Sequence, residues 1–308
     1  MQPLEFRPDG LFVLVQFTDT HFADLPHNRE TFELFDRVLQ IEKPDLIVLS
    51  GDIVHPAWCK DPLIHWADVV RYFDAKNVPW AFVQGNHDAE EFTYEAIEDT
   101  LAGSRLSLYE SGPESIFGHG NYAVPIYKRG TSRPGAIVWS LDSGQGAEGV
   151  ASGWDWVKRD QIAWFSAEAD RLMKQDGDSI TGLAFVHMPL VQHLTVWQTT
   201  PCSGFLNEKV CMQGMDEGLF DAFKERSRVA GCFVGHDHVN DYEGVLEGVT
   251  LAYGRGSGYN CYGKEGFRKG ARVITLREGI RGFQTHIRLD DGTLAPRPSH
   301  LPDGTSLN

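Results

Sequence analysis

Positive charge is scarce in this chain of 308 residues. It has 28 Lys and Arg side chains against 43 Asp and Glu, which gives a formal net charge of −15. A protein that binds long nucleic acid or an anionic membrane surface needs basic charge to neutralise phosphate groups. The composition argues against both activities, and we expect neither long nucleic acid nor a membrane among the partners of this protein.

Long apolar runs are also missing. No stretch of the sequence approaches the roughly 20 residues that a helix needs to span a bilayer. The opening residues, MQPLEFRPDGLFVLVQF, carry no basic segment before the apolar LFVLV and no cleavage-like site, both of which a secretory signal would have. We interpret LFVLV as the first strand and expect a cytoplasmic protein.

Cysteine is rare, and its spacing fits neither a zinc ribbon nor a disulfide framework. The five thiols are Cys59, Cys202, Cys211, Cys232 and Cys261, an odd number with no C-x-x-C pair. We therefore expect reduced cysteines. The chain also has no internal repeat and no strong linker, so residues 1–289 are predicted to form a single domain, followed by an irregular tail at 290–308.

The sequence does contain many short apolar runs rich in Val, Phe and Ile that end in Gly, Asp, Asn or His. They predict strands at 11–19, 45–52, 80–88, 136–143, 182–189, 230–238 and 249–253. Helical patterns lie between them, at 29–43, 62–76, 92–102, 160–175 and 217–227. Early alternation of strand and helix predicts an α/β fold with parallel pairing, and the later strand-rich part predicts a second, more mixed sheet. Residues 106–135 are interpreted as an irregular surface excursion.

Potential metal ligands follow five of these strands. The sequence reads FTDTH, SGD and GNHD after the first three, and VHMP and GHDH after two later ones. In open α/β sheets ligands bind outside the carboxyl ends of the strands, so we expect these side chains at one edge. In an extended backbone, residues i and i+2 face the same way. This spacing predicts that His236 and His238 aim at one point while Asp237 aims away.

The side chains in these motifs form a chemically uniform set. They are Asp19, His21, Asp52, Asn86, His187, His236 and His238. Collecting so many polar groups at one edge is costly without a compensating charge, which favours a metal centre. All the donors are nitrogen or oxygen and none is a thiolate, so the site suits Mn, Fe or Zn better than a soft metal.

The ordered set D-x-H, G-D, G-N-H-D, strand-end His and G-H-x-H resembles that of the calcineurin-like metallophosphoesterases, over residues 11–276. The later sequence is most similar to a branch beside the purple acid phosphatases. The resemblance implies a four-layer α/β/β/α sandwich of two mixed sheets flanked by helices, with two divalent or transition-metal ions in its cleft. It implies that Asp19, His21, Asp52 and His238 hold the first metal, and that Asn86, His187, His236 and the shared Asp52 hold the second.

One position departs from the purple acid phosphatases. They carry a Tyr three residues after the bridging Asp, where this chain has His55, so the coloured ferric site is not expected. Nucleases of the superfamily that process broken DNA ends resemble this chain in having a His there. His55 then orients His87 or contacts the substrate; the alternative is a surface histidine beside Pro56.

The resemblance implies a phosphomonoesterase in which the metal pair and its bridging Asp52 activate a shared hydroxide for in-line attack on phosphorus. His87 is the general acid for the leaving group, and the substrate is a phosphate ester on a small molecule or a phosphoprotein. The alternatives are a phosphodiesterase or nuclease on the same metal core, a non-catalytic binding protein, and another dinuclear hydrolase reaction. Asp88 either supports His87 or caps the helix that follows.

Two further segments are interpreted as substrate contacts. The stretch 253–272 is rich in Gly and Tyr and contains Arg255, Lys264, Arg268, Lys269 and Arg272, which we expect to attract an anionic substrate. The segment 187–210 follows a predicted ligand and is expected to form a cleft wall. His193, Trp197 and Glu208 are its candidate contacts.

Overall fold

The computed structural model of this protein describes residues 3–90, 92–174, 180–225, 228–302, 305 and 307. Its helices are α1 (Asn28–Glu42), α2 (Pro62–Lys76), α3 (Tyr94–Ala102), α4 (Arg159–Met173), α5 (Val191–Thr199) and α6 (Leu219–Lys224). Its strands are β1 (Leu4–Glu5), β2 (Leu11–Phe17), β3 (Leu46–Ser50), β4 (Trp80–Val83), β5 (Tyr122–Tyr127), β6 (Pro134–Leu141), β7 (Thr181–Val186), β8 (Cys202–Ser203), β9 (Gly231–Val234), β10 (Glu243–Leu246), β11 (Val249–Tyr253), β12 (Gly270–Arg277), β13 (Ile280–Leu289) and β14 (Ser299–His300).

Within these ranges one sheet has the strand order β13-β12-β2-β3-β4. Strands β2, β3 and β4 are parallel, whereas β12 runs antiparallel to β2 and to β13. Phe35 of α1, Phe73 of α2 and Ile97 of α3 are fully buried in a cluster with the strand residues on the outer face of this sheet. Helix α2 begins after Asp61, whose side chain accepts the Leu63 N–H.

The other sheet has the order β1-β5-β6-β7-β9-β11-β10-β8-β14. Its outer face buries Phe165 of α4 and Phe223 of α6 with strand residues. Its inner face meets the first sheet in a third apolar cluster, where Phe185 of β7 and Phe233 of β9 lie with Leu14 of β2. Helices, sheet, sheet and helices therefore stack in four layers, as expected from the sequence.

Some elements differ from the sequence predictions. The stretch 106–135, expected to be irregular, contains β5, whose alternating burial is obscured in the sequence by Pro125. Pro125 is tolerated because β5 has only the two-residue strand β1 on its outer side. The segment 187–210 contains α5. The last long hairpin, β12–β13, completes the first sheet rather than the second, and β14 in the expected tail pairs with β8.

Two further observations concern the described part of the chain. No helix in it is both long and apolar enough to cross a membrane. All five cysteines are free thiols, as expected from their spacing.

Candidate metal centre

The carboxyl ends of β2, β3 and β4 in one sheet and of β7 and β9 in the other lie at one edge of the molecule. The structure brings all seven predicted ligands together there, in two groups. The ligand atoms of Asp19, His21, Asp52 and His238 lie within 4.8 Å of one another, as do those of Asp52, His187 and His236. The Asn86 Oδ1 atom joins the second group, 2.8 Å from His236 Nδ1.

Asp52 belongs to both groups through one of its oxygens. Its Oδ2 lies 3.8 Å from His21 Nε2 and 3.2 Å from His187 Nε2. Its Oδ1 accepts the backbone N–H of His87 at 2.9 Å. The carboxylate is thus oriented by a backbone hydrogen bond, and a single oxygen faces the ligands of both groups.

The backbone at the centre is not the extended strand that the i, i+2 spacing predicted. Each ligand strand ends one to three residues before its first ligand, and Asp19, His21, Asp52 and His236 have φ values of 54°, 47°, 53° and 73°. Left-handed conformations are uncommon for these residue types and tend to cluster at functional sites. The prediction that alternation aims His236 and His238 was wrong, although Asp237 does turn away, accepting the Tyr253 hydroxyl at 2.6 Å.

The glycines of the three motifs are required by close packing. A Cβ on Gly51 would lie 2.2 Å from His187 Nδ1, and one on Gly85 would lie 2.2 Å from the Asp52 backbone nitrogen. A Cβ on Gly235 would lie 2.1 Å from Thr18 Oγ1. The glycine in S-G-D, Q-G-N and V-G-H therefore lets ligand loops from different strands touch.

The substitution Gly85→Ala tests this packing. The new Cβ would also lie 2.3 Å from Asp52 Oδ1, so we expect a folded protein that loses at least about tenfold in metal affinity, since ligand geometry sets affinity. Gly146→Ala is the matched control, because its Cβ would meet no atom closer than 3.6 Å. Metal titration with circular dichroism measures both, and unchanged affinity in Gly85→Ala would contradict the role given to this contact.

Burial and charge set the protonation of the second group. His187 Nδ1 lies 2.8 Å from the Ser50 carbonyl oxygen and donates to it, which leaves Nε2 facing Asp52. Burial alone would lower the pKa of His187, but the carboxylates of Asp52 and Asp19 outweigh it and raise the pKa to about 10. Burial raises the pKa of Asp19 to about 7. Without a cation, the positive charge of protonated His187 offsets the negative charge of the buried Asp52 carboxylate.

The imidazoles of His21, His236 and His238 are neutral. Burial lowers the pKa values of His236 and His238 to about 3 and places that of His21 well below its usual range. Neutral imidazole is the form that binds metals, so these three residues need to lose no proton when a cation arrives.

Unpaired atoms show that the centre fits cations. Among the described residues, Asp19 Oδ2 and His187 Nε2 are buried without a hydrogen-bond partner. Buried polar atoms are rarely left unpaired, and a cation would satisfy lone pairs of this kind. The Cys261 thiol lies within 4.8 Å of His21 and His238 ligand atoms. Burial raises the pKa of this thiol to about 11.

Asp88 holds the loop that carries Asp52. Its Oδ2 accepts the N–H groups of Asp52 and Gly85, both at 2.8 Å, and its Oδ1 accepts those of Ile53 and Val54, at 2.8 and 3.1 Å. Burial raises the pKa of Asp88 to about 7. Asp88 therefore neither supports His87 nor caps the next helix.

The predicted general acid lies beside the centre. His87 Nδ1 is 2.5 Å from Glu90 Oε2, and the His87 ring centroid lies 4.3 Å from that of His55. His55 is 6% exposed, so it is not a surface histidine. Its Nδ1 lies 3.2 Å from His21 Nδ1.

The basic stretch 253–272 differs from its prediction. Arg255 is buried, pairs with Asp241 at 2.5 Å and packs 3.2 Å above the Phe267 ring. Arg272 is fully buried and pairs with Glu243, and Arg268 pairs with Asp290. These three arginines serve the fold. Lys269 lies near the centre, because its Nζ donates to the Cys261 thiol, whereas Lys264 donates to the Asn207 side chain.

Of the three substrate contacts predicted in the segment 187–210, only one lies near the centre. His193 is fully buried, with its ring 5.6 Å from that of Tyr253, and Trp197 packs on Tyr242. Neither reaches the centre. Glu208 does lie near it, because its Oε2 accepts the Tyr262 hydroxyl at 2.8 Å.

The sequence analysis did not predict several aromatic side chains that lie at the centre. Tyr262 stacks on His238 with centroids 4.2 Å apart, Trp154 meets the His236 ring edge-on at 4.7 Å, and Trp58 lies 3.7 Å from His55. Glu90 was missed as well. Its spacing of three residues after His87 is the one available signal.

The fold and the centre together define a metal-binding hydrolase with two nitrogen- and oxygen-ligand groups that share one carboxylate. Residues 12–240 match the family described as calcineurin-like phosphoesterase. The chain belongs to this family, and its class is that of hydrolases acting on phosphate esters.

The chain and its fold are also similar to several known proteins. The chain is 32% identical over 347 residues to a protein named "Probable inactive purple acid phosphatase 29" from Arabidopsis thaliana, covering 99% of this chain and 89% of that one. Its fold is similar to that of a dimetal phosphatase from Danio rerio, with a TM-score of 0.56, 16% identity and coverage of 89% and 98%. It is also similar to that of GAP50, described as the anchor in the inner membrane complex of Plasmodium, with a TM-score of 0.58, 14% identity and coverage of 94% and 88%.

Proposed function

We propose that this protein is a phosphomonoesterase that uses two metal ions and His87. The observation that supports it is the pair of ligand groups sharing Asp52, with the His87 ring 5.7 Å from that of His21. The substrate is a phosphate ester on a small molecule or a phosphoprotein.

Seven side chains would hold the ions, in the two groups described above. Two such ions supply Lewis-acid activation of an attacking water and of the phosphoryl oxygens. Asp52 would contribute to both groups of ligands, and its Oδ2 is the oxygen that faces them, because Oδ1 already accepts the His87 N–H. Asp88 fixes this arrangement by binding the N–H of Asp52 itself.

His87 delivers the proton to the leaving group. Glu90 accepts a hydrogen bond from Nδ1, which fixes the ring and leaves Nε2 as the atom that donates. The His87 side chain is 29% exposed, so it can reach a substrate. An alkoxide leaving group needs this proton more than a nitrophenolate does.

His55 positions the neighbouring rings. Burial lowers the pKa of His55 to about 4, so it is neutral at physiological pH. It lies between His21, His87 and Trp58, with ring centroids 5.2, 4.3 and 3.7 Å away. It is thus a support for His87 and not a second proton donor.

The test compares wild type with His87→Ala after separate loading with Mn, Fe and Zn. We expect more than one metal ion per chain in both proteins. On glycerol phosphate the variant should lose about a hundredfold or more in kcat, the usual range for a general acid. On p-nitrophenyl phosphate it should lose much less, because that leaving group is stable as an anion. Elemental analysis and steady-state rates measure these quantities.

His119→Ala is the matched control, since His119 Nδ1 also pairs with a glutamate, Glu98, at 3.0 Å, outside the centre. Full activity of His87→Ala on glycerol phosphate would remove His87 from the reaction. Bis-p-nitrophenyl phosphate is included because a diesterase would cleave it faster than the monoester. A metal-filled wild type that cleaves none of these esters would instead be a non-catalytic binding protein. The name of its plant relative contains the word "inactive".

A further inference from the structure

Trp58 is an exposed aromatic ring at the edge of the metal centre. It ends the short 3₁₀ turn Pro56–Trp58 that follows His55. Its N–H donates to the His55 carbonyl and its carbonyl accepts the Asp24 N–H, at 3.0 and 3.2 Å, so its backbone is fixed. Yet its side chain is 42% exposed. A large apolar ring held in solvent beside a binding site is typical of a ligand contact.

The position of His87 shows which part of a substrate Trp58 would meet. His87 must lie next to the leaving-group oxygen if it protonates it, and its ring is 4.3 Å from that of His55. The Trp58 indole lies 3.7 Å from the same His55 ring. His87 and Trp58 therefore flank the same buried His55 ring, and a group attached to the leaving oxygen would meet the exposed indole.

We propose that Trp58 is the platform for an aromatic leaving group, and that the substrate is an aryl phosphate monoester. This inference rests on the proposed function, since it places the leaving group by the position of His87. A planar ring stacks on an indole, whereas an alkyl group gains only the area it covers. The ester oxygen then stays within reach of His87 while the phosphoryl group faces the ligand groups.

The rings around the centre are consistent with this orientation. His55, His21 and His238 lie in a row, with centroids 5.2 and 4.9 Å apart, between Trp58 at one end and Tyr262 at the other. Tyr262 stacks on the ligand His238 and its hydroxyl is held by Glu208. Trp58 packs on His55, which is no predicted ligand, and its ring lies 5.9 Å from that of the predicted ligand His21, so the metal content of every Trp58 variant is measured alongside its activity.

The test uses metal-loaded protein and esters whose leaving groups have similar acidity but different ring area. Phenyl phosphate and 2-naphthyl phosphate form such a pair, and glycerol phosphate is the alkyl reference. For Trp58→Ala we expect the naphthyl-to-phenyl ratio of kcat/KM to fall roughly three- to tenfold, the range of one aromatic stack. Metal content should not change. Trp58→Phe should keep most of the ratio, and Ile64→Ala, an exposed apolar residue on α2, should keep all of it.

Binding of non-hydrolysable phosphonates separates this proposal from the proposed function. Phenylphosphonate should bind more tightly than methylphosphonate, and Trp58→Ala should remove the difference. If wild type binds phenylphosphonate more tightly than methylphosphonate but hydrolyses none of the esters, the proposed aryl site at Trp58 is supported and the proposed phosphomonoesterase activity is refuted. Suppose instead that wild type hydrolyses the esters, but Trp58→Ala keeps both the naphthyl-to-phenyl ratio of kcat/KM and the preference for phenylphosphonate over methylphosphonate. The proposal of an aryl site at Trp58 would then be wrong. A phosphotyrosine peptide and free phosphotyrosine, both aryl esters, distinguish a protein from a small-molecule source by their relative rates.

Discussion

Asp52→Asn is expected to abolish metal retention and to reduce kcat/KM on the order of a thousandfold, since metal activation of water and phosphoryl oxygens is lost. The orientation of the new amide follows from the structure. Its oxygen must take the Oδ1 position to accept the His87 N–H. The NH₂ group then takes the Oδ2 position, where it faces His187 and His21 with two protons in place of a lone pair.

Metal analysis after chelator-free purification, with rates on p-nitrophenyl phosphate, measures this effect. Asp142→Asn is the matched control, because Asp142 is also buried after a strand and accepts two backbone N–H groups, from His119 and Gly144. It lies outside both ligand groups. A full complement of metal in Asp52→Asn would show that the carboxylate does not join the two groups.

Asp88→Ala is expected to cost at least about 3 kcal/mol in the free energy of unfolding, because each buried N–H left without a partner costs about 1–3 kcal/mol. Four N–H groups depend on this one side chain. The same change should release the Asp52 loop, so that metal is lost as well as stability. Urea unfolding of the metal-free proteins isolates the first effect, and metal titration measures the second.

Asp61→Ala provides the comparison, because Asp61 also accepts a backbone N–H, but at the exposed start of α2. Loss of such a cap costs about 1 kcal/mol. If Asp88→Ala cost no more than Asp61→Ala and kept its metals, then Asp88 would not be what holds the Asp52 loop.

The composition of the centre could be predicted from the sequence because it depends on topology. Strands that run parallel end at one edge, so polar residues after β2, β3 and β4 meet wherever the sheet forms. The motif order then indicated the sharing of Asp52. How Asp19 and His236 reach the centre could not be predicted, because their left-handed backbones are imposed by neighbouring loops.

Side chains that position other residues were also hard to predict, because their partners lie far away in the sequence. Asp88 stands next to His87 in the sequence, which indicated a shared task, yet its four partners belong mainly to another loop, 36 residues away at most. Arg255 was expected at the rim from its charge alone. It is buried because Asp241 neutralises it, and no local pattern shows that pairing.

The division of ligands between the sheets has a consequence for biosynthesis. The part of the chain up to Asn86 supplies both carboxylates, one amide and His21, whereas His187, His236 and His238 come from the second sheet. Ribosomes add about 5–20 residues per second, so the early ligands emerge several seconds before the later histidines. A nascent chain therefore carries the anionic half of the centre first, and the docking of the second sheet onto the first brings the seven predicted ligands together.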